Sequence, residues 1–184
     1  MKHSKGEFIR IIIISLIISS SIIFIIGSNI QNGKILVIQN NTTGVKSELY
    51  LPDGGFSLGY THSVMKTPAE EFFVVDENNE IILEKTIYES YGVGLPFLSN
   101  LGDEGDEGVF EIKDDKFILY INRTFSEINM IISPIPEHYI KIGNTKYDLM
   151  DMLKEPDCSI TIYAYDKKII KNFFNISSSI ILNN

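Results

Sequence analysis

Cysteine occurs once, at Cys158, and tryptophan does not occur at all. A lone cysteine excludes an internal disulfide framework, and with it a zinc or iron–sulfur centre built from cysteines alone. Basic residues are also short: 16 Lys and Arg stand against 24 Asp and Glu, a formal charge of −8 over 184 residues. Nucleic-acid recognition needs a concentrated basic face, and this balance argues against it. There is no Gly-x-Ser-x-Gly elbow, no internal repeat and no heptad pattern. What is plentiful is apolar surface. With 44% hydrophobic and 22% charged residues the chain is too apolar to be disordered, and its length fits one modest domain.

The apolar residues are unevenly spread. From Ile11 to Ile26 the chain reads IIIISLIISSSIIFII, broken only by serines. With Phe8 and Ile9 included, and Arg10 able to snorkel, residues 8–27 approach the ~20 residues a membrane helix needs. Lipid forces backbone groups to pair internally, which overrides the poor helix propensity of isoleucine. Lys2, Lys5 and Arg10 against Glu7 place the basic flank in the cytoplasm and the rest of the chain outside. A cleaved signal peptide is the rival, but its core is shorter and ends in a small-x-small site, which Ile25-Ile26-Gly27-Ser28 matches poorly. No cysteine follows to carry a lipid. The expected organisation is a cytoplasmic flank and uncleaved signal anchor over residues 1–30, then an extracytoplasmic domain over 31–184. The first part carries +2, so the second carries −10 and is repelled by anionic head groups.

Beyond residue 31 the dominant period is two. Runs at 34–39, 48–51, 56–60, 71–75, 81–90, 110–112, 116–121, 128–132, 139–142, 145–149 and 159–165 read as strands. Between them lie Asp76-Glu77-Asn78-Asn79, Asp114-Asp115 and Gly143-Asn144, the last a strong two-residue hairpin signal. The spacing predicts an all-β fold, an antiparallel sandwich or barrel-like domain preceded by one transmembrane helix. Residues 147–155, stopped by Pro156, suit either one short helical turn or the hairpin. Cys158 reads as a small core residue, and Tyr163 with Tyr165 as core on one face of the last strand.

Two segments carry residues that strand formation does not require. The first is Tyr60-Thr61-His62-Ser63-Val64-Met65-Lys66-Thr67-Pro68-Ala69-Glu70-Glu71-Phe72, and the second Glu89-Ser90-Tyr91-Gly92-Val93-Gly94-Leu95-Pro96. Together they resemble the DUF1850 family of exported proteins, whose pattern is Tyr-x-His-Ser-Val, then Pro-x-Glu-Glu, then Ser-Tyr/Phe-Gly-Ala-Gly-Leu-Pro. Val93 stands where alanine is commoner. The resemblance runs over most of Phe56–Tyr165. It implies an N-terminal hydrophobic segment and a gene neighbourhood of tripartite transporters with a TAXI-class solute receptor, and no activity.

The candidate binding residues are His62, Ser63, Glu70, Glu71, Ser90, Tyr91, Gly92 and Gly94. Consecutive strand residues point to opposite faces, so His62 and Ser63 are badly placed to act as base and nucleophile. A metal held by His62 and Glu71 is a weak candidate, because His3 is cytoplasmic and His138 lies in another region of the sequence. A His62–glutamate clasp between two strands is the structural alternative, and contact with a ligand or partner the functional one. The run from Gly102 to Gly108 is acidic but lacks the ligand order of a calcium loop. The expected function is a membrane-anchored accessory or binding module, without cofactor, associated with a transporter's receptor or membrane subunit. A small-ligand or metal sensor is the alternative, and a hydrolase the third reading.

Overall fold

The computed structural model describes residues 5–28, 30–62, 66–89, 108–170 and 181–182. The chain divides into two units, one comprising residues 1–32 with 168–177, the other 33–167 with 178–184. The first contains helix α1, Lys5–Ser28, whose 24 residues reach about 36 Å. Its span Gly6–Phe24 is long and apolar enough to cross a membrane, with none of it buried inside the protein. The serines do not interrupt the helix, because their hydroxyls bond back to the preceding turn: Ser15 to the Ile12 carbonyl, Ser19 to Leu16 and Ser21 to Ile17.

The second unit is a β-sandwich. Its strands, of which β1 begins before and β11 ends beyond the unit's bounds, are β1 (Ile30–Asn40), β2 (Lys46–Leu51), β3 (Gly55–Thr61), β4 (Pro68–Val75), β5 (Ile81–Tyr88), β6 (Val109–Lys113) and β7 (Lys116–Phe125). They continue with β8 (Ile128–Ile132), β9 (Tyr139–Ile142), β10 (Thr145–Asp148), β11 (Cys158–Ile170) and β12 (Ile181–Leu182), with the short helix α2 (Leu149–Leu153) between β10 and β11. One sheet runs β12-β2-β1-β11-β8 and the other β10-β9-β3-β4-β5-β7-β6. Every neighbouring pair in the larger sheet is antiparallel. The two sheets do not close into a barrel.

Local chemistry sets the turns. Asp114 and Asp115 take φ of 51° and 58°, the left-handed pair that a two-residue hairpin needs. Gly143, at φ 56°, turns β9 into β10. Asp76 Oδ1 accepts from the Asn78 and Glu80 amides and closes the β4–β5 connection. The 147–155 stretch takes both of its alternatives: Asp148, paired with Tyr139, ends the hairpin and also caps α2 by accepting from the Met150 and Asp151 amides.

The core lies between the sheets. Leu36, Ile38, Leu49, Leu51, Ile160 and Ile162 face Phe56, Leu58, Phe73, Leu83, Ile140 and Ile142, while Leu149 and Leu153 of α2 join the cluster. Cys158 is buried with them. Burying each large aliphatic side chain contributes about 1.5–3 kcal/mol, so this layer holds the sandwich together. Phe56 and Phe73 sit directly opposite in the β3–β4 ladder, their rings stacked with centroids 5.0 Å apart, and so pin its register. Tyr163 and Tyr165 do share a face of β11, but it is the face opposite Ile160 and Ile162. They are half-buried outside the core, bonded to Lys46 and to Glu48. Alternation places residues on a common face without saying which face is inside.

Gly59 faces Tyr139 across β3–β9, and the tyrosine ring lies over the glycine. A methyl group there would overlap the ring. Gly59→Ala is expected to destabilise the fold by about 1–3 kcal/mol. The cost should shrink in a Tyr139→Ala background, as thermal melts of the two singles and the double will show.

Candidate functional site

The β3–β4 hairpin carries the first motif, and its strand geometry divides the motif's residues between two surfaces. Thr61 pairs with Pro68 as the last rung. Beyond it the His62 amide donates to the Thr67 carbonyl at 2.8 Å, and the Lys66 amide to the His62 carbonyl at 2.9 Å. The turn is completed by Lys66 at φ 57°. His62 is buried at the base of this loop. Ser63, Ser90, Tyr91, Gly92 and Gly94 lie outside the described residues, as does the acidic run 102–107.

Leu58 stands opposite Glu71, Tyr60 opposite Ala69, Glu71 opposite Thr86 and Ala69 opposite Tyr88. Leu58 belongs to the core, so Tyr60, Glu71, Thr86 and Tyr88 share the inner face, at the rim of the sandwich. Burial raises the Glu71 carboxyl above its ordinary range. Burial, reinforced by the nearby Glu71 charge, pushes the Tyr60 phenol up to about 12. Thr86 and Tyr88 are both buried beside them.

Sheet order then brings in a residue that sequence reading placed elsewhere. Strand β9 returns beside β3, and His138, immediately before it, puts its imidazole 6.0 Å from the Tyr60 ring, tilted by 45°. The histidine is 9% exposed, and its Nδ1 has no hydrogen-bond partner among the described residues. Burial lowers its pKa, keeping the imidazole neutral. The inner rim therefore gathers a carboxyl, a phenol and an imidazole, each biased toward its uncharged form. Such groups exchange hydrogen bonds with a polar partner without the desolvation cost of a full charge. No group of three His, Cys, Asp or Glu side chains is placed to hold a metal ion among the described residues.

Glu70 goes to the other surface. Its Oε1 accepts from Ser57 Oγ at 2.5 Å, on the outer face of the larger sheet. There Tyr139, raised in pKa by burial and then by the Glu70 charge, covers Gly59, and Lys146 Nζ sits 4.0 Å from the Tyr139 ring centroid. Glu70 and Glu71 are neighbours in the chain and belong to different environments. The alternation of side chains along β4 separates them. His138 had no local signal. Only the β9–β3 pairing brings it to the rim.

A protein-family model described as a domain of unknown function (DUF1850) matches residues 56–149. No curated protein and no solved structure matches the chain.

The buried carboxyl makes a signed prediction. Because the folded-state pKa of Glu71 is raised above 4.5, its contribution to stability is fully present below that pH and is lost as pH rises through the folded value. Glu71→Gln should therefore melt higher than wild type at pH 7, by about 2–4 °C per kcal/mol of desolvation relieved. The gain should close as pH falls to 4.5. Thermal melts between pH 4 and 8 measure it, and a variant less stable at pH 7 contradicts the assignment.

Proposed function

Because the chain belongs to the DUF1850 family, whose function is unknown, its role is to be read from its own residues, and we propose a membrane-anchored, extracytoplasmic binding module rather than an enzyme. The observation that carries the reading is the Nδ1 of buried His138, beside Tyr60, which has no hydrogen-bond partner among the described residues. A buried polar atom without a partner costs about 1–3 kcal/mol. A rim that keeps this cost next to a desolvated carboxyl is suited to receive a hydrogen-bonding group from outside.

Helix α1 supports the anchor, and Lys2, Lys5 and Arg10 support an orientation with the sandwich outside the cytoplasm. The family resemblance suggests the partner: the solute receptor or membrane subunit of a tripartite, TAXI-type transporter, contacting the Tyr60–Glu71 hairpin end and His138. A second reading is a small-ligand sensor. The bias of Glu71, Tyr60 and His138 toward neutrality favours it, since neutral groups suit a compact polar ligand such as an organic acid in its protonated form.

Full-length protein purified from native membranes should bring down a transporter component, and His138→Phe should reduce that recovery about fivefold or more with an unchanged far-UV spectrum. Added protease should digest the sandwich in intact cells while leaving a membrane-bound N-terminal fragment. Recovery of no transporter component, with wild-type solute uptake in a deletion strain, removes the partner reading. Thermal shifts with organic acids or divalent cations would then decide for the sensor.

A further inference from the structure

The outer face of the larger sheet contains a second surface, distinct from the rim. A pocket of about 300 Å³ opens there over β3 and β4. That volume is at the lower end for small-molecule sites. Its floor is Ser57 and Phe72, directly opposite in the ladder. Lys141 of β9 stands opposite Ser57, and Lys85 of β5 opposite Phe72, with Lys85 Nζ 4.7 Å from the Phe72 ring centroid. The row Lys141–Ser57–Phe72–Lys85 thus crosses four strands and spans about 14 Å. Gly55 and Gly143, at its edges, leave the hollow unfilled. The β4–β5 register slips between Phe72 and Phe73, bringing Glu84 into the wall beside Lys85.

The charges are balanced but not mutually neutralised. Lys141 and Lys85 face Glu70 and Glu84 around the Ser57–Phe72 floor. Lys141 flanks Ser57, and Ser57 donates to Glu70, yet Lys141 and Glu70 form no ion pair. Neither Lys141 nor Glu84 has an ion-pair partner among the described residues. An anion would meet two carboxylates here, and a cation two ammonium groups. An uncharged apolar ligand would desolvate four charges with no compensation. We infer that this pocket binds a small zwitterion with a compact apolar body, of the α-amino acid type. The ligand carboxylate pairs with Lys141, its ammonium with Glu70, and its body lies on Phe72. Opposite charges held apart on either side of one serine suit an ammonium and a carboxylate carried by the same carbon of a ligand.

Calorimetry of the full chain in nanodiscs tests this with three probes of one shape: L-leucine, 4-methylpentanoate, which lacks the ammonium, and 3-methylbutylamine, which lacks the carboxylate. L-leucine should bind, and each half-ligand should bind at least about tenfold more weakly. Lys141→Met and Glu70→Gln should each weaken L-leucine at least about tenfold, with Lys141→Arg retaining most of the affinity. His138→Phe should leave it unchanged, which separates this site from the rim. Should Glu70→Gln fail to fold, the Lys141 pair and the half-ligands decide alone. Absence of L-leucine binding, equal binding of 4-methylpentanoate, or L-leucine affinity unaffected by Lys141→Met overturns the proposal.

Discussion

The alternation of side chains along β3 and β4 is the constraint on which the rest depends. A one-residue slip would exchange every inward group for an outward one. The stacked Phe56–Phe73 pair prevents that slip by burying two rings against Leu58 and the facing sheet. With the register held, Tyr60 and Glu71 must fall at the inner rim, and Ser57, Glu70 and Phe72 on the outer face. The hydrophobic layer is therefore also what aims the polar groups. A core substitution at Phe56 or Phe73, which also border the outer pocket, would disturb both surfaces together.

The two surfaces manage polarity in opposite ways. At the rim, burial drives Glu71, Tyr60 and His138 toward their uncharged forms, and one ring nitrogen has no hydrogen-bond partner among the described residues. Outside, the charges keep contact with solvent and are held as separated opposites around an aromatic floor. Desolvation dominates the first environment and Coulomb complementarity the second. Both are costs that a chain selected only for stability would remove, by a phenylalanine in place of His138 or a closed ion pair in place of Lys141 and Glu70.

Elements governed by neighbours in the chain were legible from sequence. The apolar run became α1, the Asp114-Asp115 and Gly143-Asn144 turns formed where their backbone preferences required, and the strands fell close to the period-two runs. The alternation rule that argued against pairing neighbours in the first motif also sets Glu70 against Glu71, a split already written in their adjacency. The sidedness of β11 was not legible. Tyr163 and Tyr165 alternate as cleanly as Ile160 and Ile162, and only the position of the larger sheet makes one pair core and the other surface. On β1 the residues Ile35 to Ile38 are all buried, so the pattern there names no face.

What the sequence determined by itself is local: an apolar helix with a basic flank, an acidic chain of alternating strands, the turns between them, and a motif on one hairpin. Those follow from backbone preference and from the energy of burying one side of a strand, which act between near neighbours. What the tertiary structure decided is which distant strands lie together. The return of β9 beside β3 brings His138 to Tyr60 and Lys141 to Ser57, and so creates both the rim and the outer pocket. Strand order is set by the packing of two whole sheets, with the chain closing long loops to reach it. No short window of residues records that balance.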